Sequence, residues 1–257
     1  MNKEIISVMK RYELKYVLTK EQAEYFKTKI LEHMKIDKYG LTTISSIYYD
    51  TPNCALINRS IEKPLYKEKI RLRSYGLASK DTPVFLEIKR KNDKIVYKRR
   101  IATIESKVDK FFNEDKEFDK EQISRELQAF KERYKVLEPK YLIIYDRVAY
   151  YQDNSDLRIT LDMNPRYRVD DLDLHSSLDG IPLLNEGEAI LEIKVQHSVP
   201  LWLVDILTKQ KIYQSSFSKV GTAHKREMSK RENGETSPIN ERIQLKVKGG
   251  CSYGLTI

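Results

Sequence analysis

The sequence has few cysteines and no long apolar run, and each absence excludes a class of protein. Its two cysteines, Cys54 and Cys251, lie far apart, so the chain has neither a disulfide framework nor a cysteine metal motif. This cysteine usage fits a reducing cytosol, and we expect a cytoplasmic protein. No run of about 18 apolar residues is present, so we expect no membrane span. The segment MNKEIISVMKRYELK is too polar for a signal peptide.

What the chain has in excess is positive charge. Its 257 residues include 47 Lys and Arg against 38 Asp and Glu, which gives a formal net charge of +9. That excess predicts an anionic partner, whether nucleic acid, anionic lipid or a phosphorylated small molecule. A hydrophobic content of 40% indicates a globular chain, and 17 tyrosines fit a sheet-rich one.

The segment YKEKIRLRSYG, residues 66–76, alternates in charge with a period of two. Alternate side chains of a strand point to opposite faces, and the second face here is mixed to apolar. The first face carries Lys67, Lys69, Arg71 and Arg73. Like charges this close repel each other, so an anion is expected opposite them.

The other predicted strands show the same division into an apolar face and a face with basic residues. One interpretation is an ordinary solvated outer face. However, the faces are strongly basic, and amphipathic helices such as residues 19–36 need an apolar surface to cover. We therefore expect the basic faces to line an interior that holds a triphosphate or polyphosphate. Base-specific nucleic-acid recognition would need amide or aromatic readers beside the cations, so we expect no nucleic-acid partner.

Seven or eight predicted strands, with helices placed irregularly between them, define the fold class. The irregular order argues against a parallel doubly wound sheet and favours an α+β protein with an antiparallel sheet, closed or nearly so. We expect one domain over residues 1–230 and a flexible tail over 231–257.

A resemblance to a known family begins at seven short motifs. In order they are RYELKY, RLRSYG, FLEIKR, DRVAY, LRITLD, LEIKV and SFSKV, between about residues 10 and 227. In these motifs the chain resembles the catalytic domain of the vacuolar transporter chaperone family, polyphosphate polymerases of the triphosphate tunnel metalloenzyme superfamily. The resemblance implies a closed, eight-stranded antiparallel β-barrel with helices packed outside. It also implies transfer of the ATP γ-phosphate to polyphosphate with a divalent metal, typically manganese, with magnesium as the alternative.

The resemblance also assigns roles to individual residues. Glu192 would hold the metal, with Glu13 as a second candidate ligand. Catalytic cations that grip phosphate would be Lys15, Arg71, Arg73, Lys89, Lys98, Arg147 and Arg158. Further substrate contacts are expected from Arg11, Lys69, Arg100, Lys194, Ser218 and Lys219. Phosphoryl transfer needs mainly positioning and charge neutralisation, which such a set can provide.

One motif departs from the wider superfamily. Its first strand carries Glu-x-Glu-x-Lys, whereas this chain reads Arg11-Tyr12-Glu13-Leu14-Lys15. A cation in place of the first carboxylate weakens metal binding for water activation and favours the polymerase branch. The sequence shows neither a phosphate-sensing domain nor membrane helices, so any membrane coupling would come from a separate partner. A tunnel triphosphatase and a non-catalytic polyphosphate or inositol-phosphate binding module remain as alternatives.

Overall fold

The computed structural model describes residues 12–93, 95–114, 118–119 and 121–234. The strands are β1 (Tyr12–Leu18), β2 (Lys35–Asp50), β3 (Tyr66–Tyr75), β4 (Val84–Asn92), β5 (Ile95–Thr103), β6 (Glu138–Tyr151), β7 (Arg158–Arg168), β8 (Ile181–Pro182) and β9 (Ala189–Val195). The helices are α1 (Lys20–Ile30), α2 (Ala55–Ile61), α3 (Glu105–Asn113), α4 (Gln122–Tyr134), α5 (Leu201–Lys209) and α6 (Lys219–Glu232). None of these helices has the length and apolar character needed to cross a membrane.

All of these strands belong to one antiparallel sheet, which confirms the α+β class. The order is β1-β9-β7-β6-β2-β3-β4-β5, and β8 pairs with β7 at the side. Within the described residues no backbone ladder joins the edge strands β1 and β5, so the closed barrel is not confirmed. The free edge of β1 is bonded elsewhere, because Ser215 N donates to Lys15 O at 2.8 Å and Tyr16 pairs with Gln214.

The outer face of the sheet carries most of the core. Helices α1 and α5 cover β1, β9 and β7, where Phe26 and Leu191 are fully buried. Helices α3 and α4 cover β2 to β5, where Phe111 and Leu86 are fully buried. A capping box begins α1, since Gln22 N donates to Thr19 Oγ1 at 3.3 Å and Thr19 N donates to Gln22 Oε1 at 3.0 Å. The helix ends at Ile30 rather than near residue 36, because β2 begins at Lys35.

Helices α2 and α6 differ from the expectation that all helices pack outside. Both lie on the concave face of the sheet, where Ile57 and Val220 pack against Ile143 and Tyr167. This end of the concave face is apolar, so it needs a cover. Helix α6 has 14 residues, longer than the short helix predicted after SSFSKVGT, and it runs past the predicted domain boundary at residue 230. Residues 235–257 of the predicted flexible tail lie outside the described residues.

Buried hydrogen bonds fix α6 to the sheet and to α2. Tyr141 Oη and Asn58 Oδ1 lie 2.9 and 2.8 Å from the two ring nitrogens of His224. Tyr167 donates to Glu227 Oε1 at 2.7 Å. Polar groups buried in this way lose much more when a partner is removed than they contribute as pairs. The middle of α6 is therefore held in one position over the concave face.

Candidate active site

The concave face beyond α2 and α6 carries the predicted cations, and we call it the basic interior. Strand β3 shows the arrangement: Ile70 and Leu72 are buried in the outer core, whereas Arg71 and Arg73 point to the other face. The basic interior is formed by Glu13, Lys15, Lys67, Lys69, Arg71, Arg73, Glu87, Lys89, Lys98, Arg100, Arg147, Thr160, Asp162, Glu192, Lys194 and Lys219. Cations outnumber carboxylates in this set, as the charge alternation predicts.

Glu87 is the carboxylate that the cations of β3 and β5 share. Its Oε2 lies 2.8 Å from Arg71 Nη2 and 4.0 Å from Arg73 Nη1, and its Oε1 lies 2.7 Å from both Lys98 Nζ and Arg100 Nε. Glu87 is 1% exposed, and burial alone would raise its pKa. The charges of Arg71, Arg73 and Lys98 hold the pKa of Glu87 far below its usual value instead. Glu87 is thus a permanent anion that keeps four cations together.

Asp162 has the same role on the opposite side. Arg147 binds it with two parallel bonds, Nε to Oδ1 at 2.6 Å and Nη2 to Oδ2 at 2.8 Å, and Lys219 donates to Oδ2. Burial opposes ionisation of Asp162, but Lys219 and Arg147 lower its pKa to about 2. Lys219 is the first residue of α6, so this ion pair joins the helix to β7.

Strands β1 and β9 contribute two further carboxylates, on adjacent strands. Glu192 lies 3.0 Å from Lys194 and 3.9 Å from Lys15. Glu13 binds Lys89 at 2.9 Å. Because Glu13 is on β1 and Lys89 on β4, this ion pair reaches across the interior between the two sides of the curved sheet. At this position a side-chain ion pair bridges β1 and β4, between which no backbone ladder is present in the described residues.

Lys69 and Tyr48 report the electrostatic potential of the interior. Lys69 Nζ donates to Ser218 Oγ at 3.2 Å, and within the described residues it has no ion pair with a carboxylate. Burial, together with Lys15, Lys67 and Lys89, lowers the pKa of Lys69 to about 8. Burial would raise the pKa of Tyr48, but Arg71, Lys69 and Arg73 lower it to about 7. Neighbouring cations contribute to both lowered pKa values, and for Tyr48 they outweigh burial, which indicates a positive interior that favours an anion.

We expect the binding of inorganic tripolyphosphate to take up protons near pH 8. The pKa of Lys69 in the free protein is about 8, and a bound polyanion raises it, so up to about one proton is taken up and affinity falls as the pH rises past 8. Calorimetric titrations in buffers of different ionisation heat measure the uptake. Lys69→Arg is the matched control, because arginine stays charged and the proton release of the ligand cancels in the difference. Equal uptake by both proteins would contradict this account.

One of the predicted residues lies apart from the others, and a second is outside the described residues. Arg158 follows the interior alternation on β7, but it is exposed, and its Nη1 donates to the carbonyls of Ser155 at 3.2 Å and Leu157 at 3.0 Å. Arg11 lies outside the described residues, so its predicted contact with phosphate stays a prediction. The remaining predicted residues are brought together: Glu13, Lys15, Lys69, Arg71, Arg73, Lys89, Lys98, Arg100, Arg147, Glu192, Lys194, Ser218 and Lys219.

Sequence reasoning singled out only some of the residues that hold the cations in place. Asp162 shares its strand face with Arg158 and Thr160, so alternation placed it inside, but no motif marked it as the partner of Arg147. Tyr48 and Tyr145 pack with the apolar cluster of α2 and α6, as aromatic side chains commonly do, and they also accept hydrogen bonds from Arg71 and Arg73, each at 3.0 Å. Alternation gives the face of a residue and not its partner, which explains these omissions.

Two neighbouring carboxylates of the basic interior, Glu13 and Glu192, are its candidate ligands for a divalent metal. Burial raises the pKa of Glu13, the charge of Lys89 lowers it and the charge of Glu192 raises it, and the net result is a lowered pKa. Because the charge of Glu192 acts on Glu13, the two carboxylates are neighbours. Within the described residues no group of three or more His, Cys, Asp or Glu is arranged to hold a metal. Magnesium-like ions are often bound by one or two carboxylates together with substrate phosphates. Glu192 and Glu13 fit a metal that binds in this way with phosphate oxygens.

An antiparallel sheet curved around a basic interior, with cations projecting from most of its strands, has the architecture expected of the triphosphate-tunnel class. The chain belongs to the VTC domain family, whose sequence profile matches residues 10–226. This match covers most of the chain and confirms the family predicted from the seven motifs. No curated protein matches the sequence.

Solved structures resemble the fold at low sequence identity. A candidate adenylate cyclase from Bacillus halodurans aligns with a TM-score of 0.51 at 13% identity, over 82% of this chain and 96% of that chain. A candidate adenylyl cyclase from Hippeastrum, described as having a dominant triphosphatase activity, aligns with a TM-score of 0.48 at 13% identity, over 89% and 98%. At such identities the likeness speaks for the fold alone.

Proposed function

We propose that this protein is a polyphosphate polymerase that transfers the γ-phosphate of ATP to a growing polyphosphate chain in the basic interior. The observation that carries the proposal is the excess of cations over carboxylates there, whose charge lowers the pKa of Tyr48 although burial would raise it. A linear polyanion offsets that charge along the interior. Membership of the VTC domain family supports the proposal.

The reaction needs no nucleophilic side chain. A terminal oxygen of the acceptor chain attacks the γ-phosphorus of ATP, the bond from that phosphorus to the β,γ-bridging oxygen breaks, and ADP leaves with the electron pair. The attacking oxygen is already ionised, so no general base is required. The protein must align the two phosphates and neutralise their charge.

Arginine forks on both sides of the interior supply the alignment. Arg71 and Arg73 project from β3, and Arg147 projects from β6. Each guanidinium is held by a carboxylate or hydroxyl and can exchange that partner for phosphate oxygens, which it binds in the same planar geometry. Lys69, Lys89 and Lys219 add charge between the forks.

A divalent metal, manganese or magnesium, would be held by Glu192 with Glu13 and would supply further neutralisation of the transferring phosphoryl group.

The Glu13–Lys89 ion pair already connects β1 to β4. We therefore infer that the curved sheet acts as a tunnel, with side chains and not a backbone ladder bridging its edges.

The decisive experiment follows the label of γ-labelled ATP. The protein is incubated with ATP and manganese, and the products are separated on a polyphosphate gel. A ladder of long chains supports the polymerase. Release of free phosphate alone identifies a triphosphatase, and tight tripolyphosphate binding with no turnover identifies a binding module. Either of the last two results overturns the proposal.

We expect Glu192→Gln to lower metal-stimulated turnover by about 100-fold or more, because it removes the main carboxylate for the metal. Tripolyphosphate binding in the presence of a chelator should be retained, since the substitution removes a negative charge from a site for anions. Initial rates across a manganese titration and chelated binding isotherms measure the two effects.

Glu188→Gln is the matched control for this substitution. Glu188 lies just before β9 and accepts a bond from Asn185 N at 2.9 Å, which glutamine can also accept. Its variant should keep the metal dependence of the wild type. If manganese activates the Glu192→Gln variant at wild-type concentrations, Glu192 is not the metal ligand.

A further inference from the structure

The basic interior ends in an aromatic cluster on the β3–β5 side. Tyr75 is the last residue of β3 and lies two residues after Arg73, on the same face of the strand. Phe85 of β4 pairs directly with Arg73 in the ladder. The two rings meet edge to face with centroids 5.6 Å apart. With Arg100 they form what we call the aromatic end. Tyr75 is the last residue of β3, whereas α2 precedes the first residue of that strand. The aromatic end and α2 therefore lie at opposite ends of β3.

Arg100 is fixed as a plane within this cluster. Its guanidinium carbon lies 4.2 Å from the centroid of Phe85 and 5.9 Å from that of Tyr75. Its Nη2 donates to Tyr75 Oη at 2.8 Å, and its Nε donates to Glu87 at 2.7 Å. Two bonds at different nitrogens hold the orientation of the guanidinium before any ligand arrives. Such preorganisation reduces the entropy that is lost on binding.

Tyr75 presents its ring to solvent beside the interior. It is 43% exposed, whereas Tyr145 on the same concave face is 4% exposed and packs among residues of α2 and α6. Phosphoryl transfer itself gives no role to an exposed aromatic ring, because phosphates are bound by cations and amide donors. The ring therefore indicates a part of the ligand that is planar and uncharged.

We propose that the aromatic end is the stacking subsite for the purine base of the nucleotide whose triphosphate binds Arg71 and Arg73. This inference rests on the proposed function. Bases stack on aromatic rings and on arginine planes in many proteins. Alternate residues of a strand are about 6.6 Å apart, so a base at Tyr75 leaves room for the ribose before the first phosphate meets Arg73.

The proposed subsite sets the direction of the nucleotide. With the base at the aromatic end, the triphosphate points along β3 towards Lys69, whose Nζ donates to Ser218 Oγ at 3.2 Å. The γ-phosphate then lies deepest, beside the start of α6. Stacking tolerates different bases, so we expect GTP to bind about as well as ATP and pyrimidine nucleotides to bind less tightly.

The test compares ATP with inorganic tripolyphosphate, which has no base. Dissociation constants for both ligands are measured calorimetrically for the wild type, Tyr75→Ala and Tyr75→Phe. We expect Tyr75→Ala to weaken ATP binding about tenfold and to change tripolyphosphate binding less than about twofold. Tyr75→Phe keeps the ring and should bind ATP about as the wild type does.

Tyr39→Ala is the matched control. Tyr39 is 69% exposed and has Lys38 over its ring at 5.0 Å, but it precedes the part of β2 that pairs with β3. Its variant should bind both ligands normally. Two results would overturn the inference. An equal loss of affinity for both ligands in Tyr75→Ala would mean that Tyr75 acts only by holding Arg100. An unchanged affinity for ATP in that variant would mean that no base stacks there. Failure of the proposed function is a separate outcome, and it is recognisable because the wild-type protein would then not bind tripolyphosphate.

Discussion

Arg71→Ala should lower the rate of γ-phosphate transfer from ATP by about 100- to 1,000-fold, the usual loss when a preorganised donor to a developing negative charge is removed. Arg71 is one of the two guanidinium forks of β3, and its bonds to Glu87 and Tyr48 orient it towards the interior. Thermal stability of the free protein should change little, because Glu87 keeps Lys98 and Arg100 while repulsion between Arg71 and Arg73 is relieved. Initial rates and the Tm measure the two effects.

Arg99→Ala is the control for Arg71→Ala. Arg99 lies next to Arg100 in β5 but on the outer face, where it binds Glu126 at 3.1 Å. Its removal should leave the transfer rate within about twofold of the wild type, since surface substitutions away from the site usually have small effects. A wild-type rate in the Arg71→Ala variant would show that Arg71 does not contact the reacting phosphates.

Glu87→Gln should destabilise the free protein by about 3 kcal/mol, because it leaves buried cations without their shared counterion. Glu87 is 1% exposed and contacts Arg71, Arg73, Lys98 and Arg100. Tripolyphosphate should restore much of the loss, since its oxygens replace the missing carboxylate. We therefore expect a larger rise in Tm on adding tripolyphosphate for Glu87→Gln than for the wild type, measured by scanning calorimetry.

Glu126→Gln separates this effect from the general loss of an ion pair. Glu126 also binds two arginines, Arg90 and Arg99, both at 3.1 Å, but on the outer face beneath α4. Its variant should lose less stability, and tripolyphosphate should raise its Tm only as much as that of the wild type. The same response in both variants would mean that Glu87 is not a counterion of the phosphate site.

The faces of the strands could be predicted from the sequence because they depend on local alternation. In residues 66–75 the apolar positions Ile70 and Leu72 are buried outside, and Arg71 and Arg73 face the interior, as the two-residue period requires. The identity of the cations follows from the same rule. Both depend on the geometry of a single strand, which any short segment carries in its own sequence.

The pairing of charges could not be predicted, because it depends on the curvature of the whole sheet. Glu13 and Lys89 belong to strands near opposite ends of the strand order, and only curvature brings them to 2.9 Å. The position of α6 on the concave face is equally non-local. Its apolar residues could have covered either face of the sheet, and the contact of Val220 with Tyr141 and Ile143 was decided by which surface remained uncovered.

The place of β1 in the sheet has a consequence for biosynthesis. This strand, the first that the structure describes, pairs with β9, and its other edge is bonded by residues 214–215, just before α6. Proteins leave the ribosome from the N-terminus, and long-range pairings of this kind form slowly. While the chain is still being synthesised, β1 must wait for residues 189–195 and Asp162 must wait for Lys219. A nascent chain that ends before α6 therefore holds an incomplete basic interior, and under the proposed function we expect polyanion binding to arise late, at the end of translation of the domain.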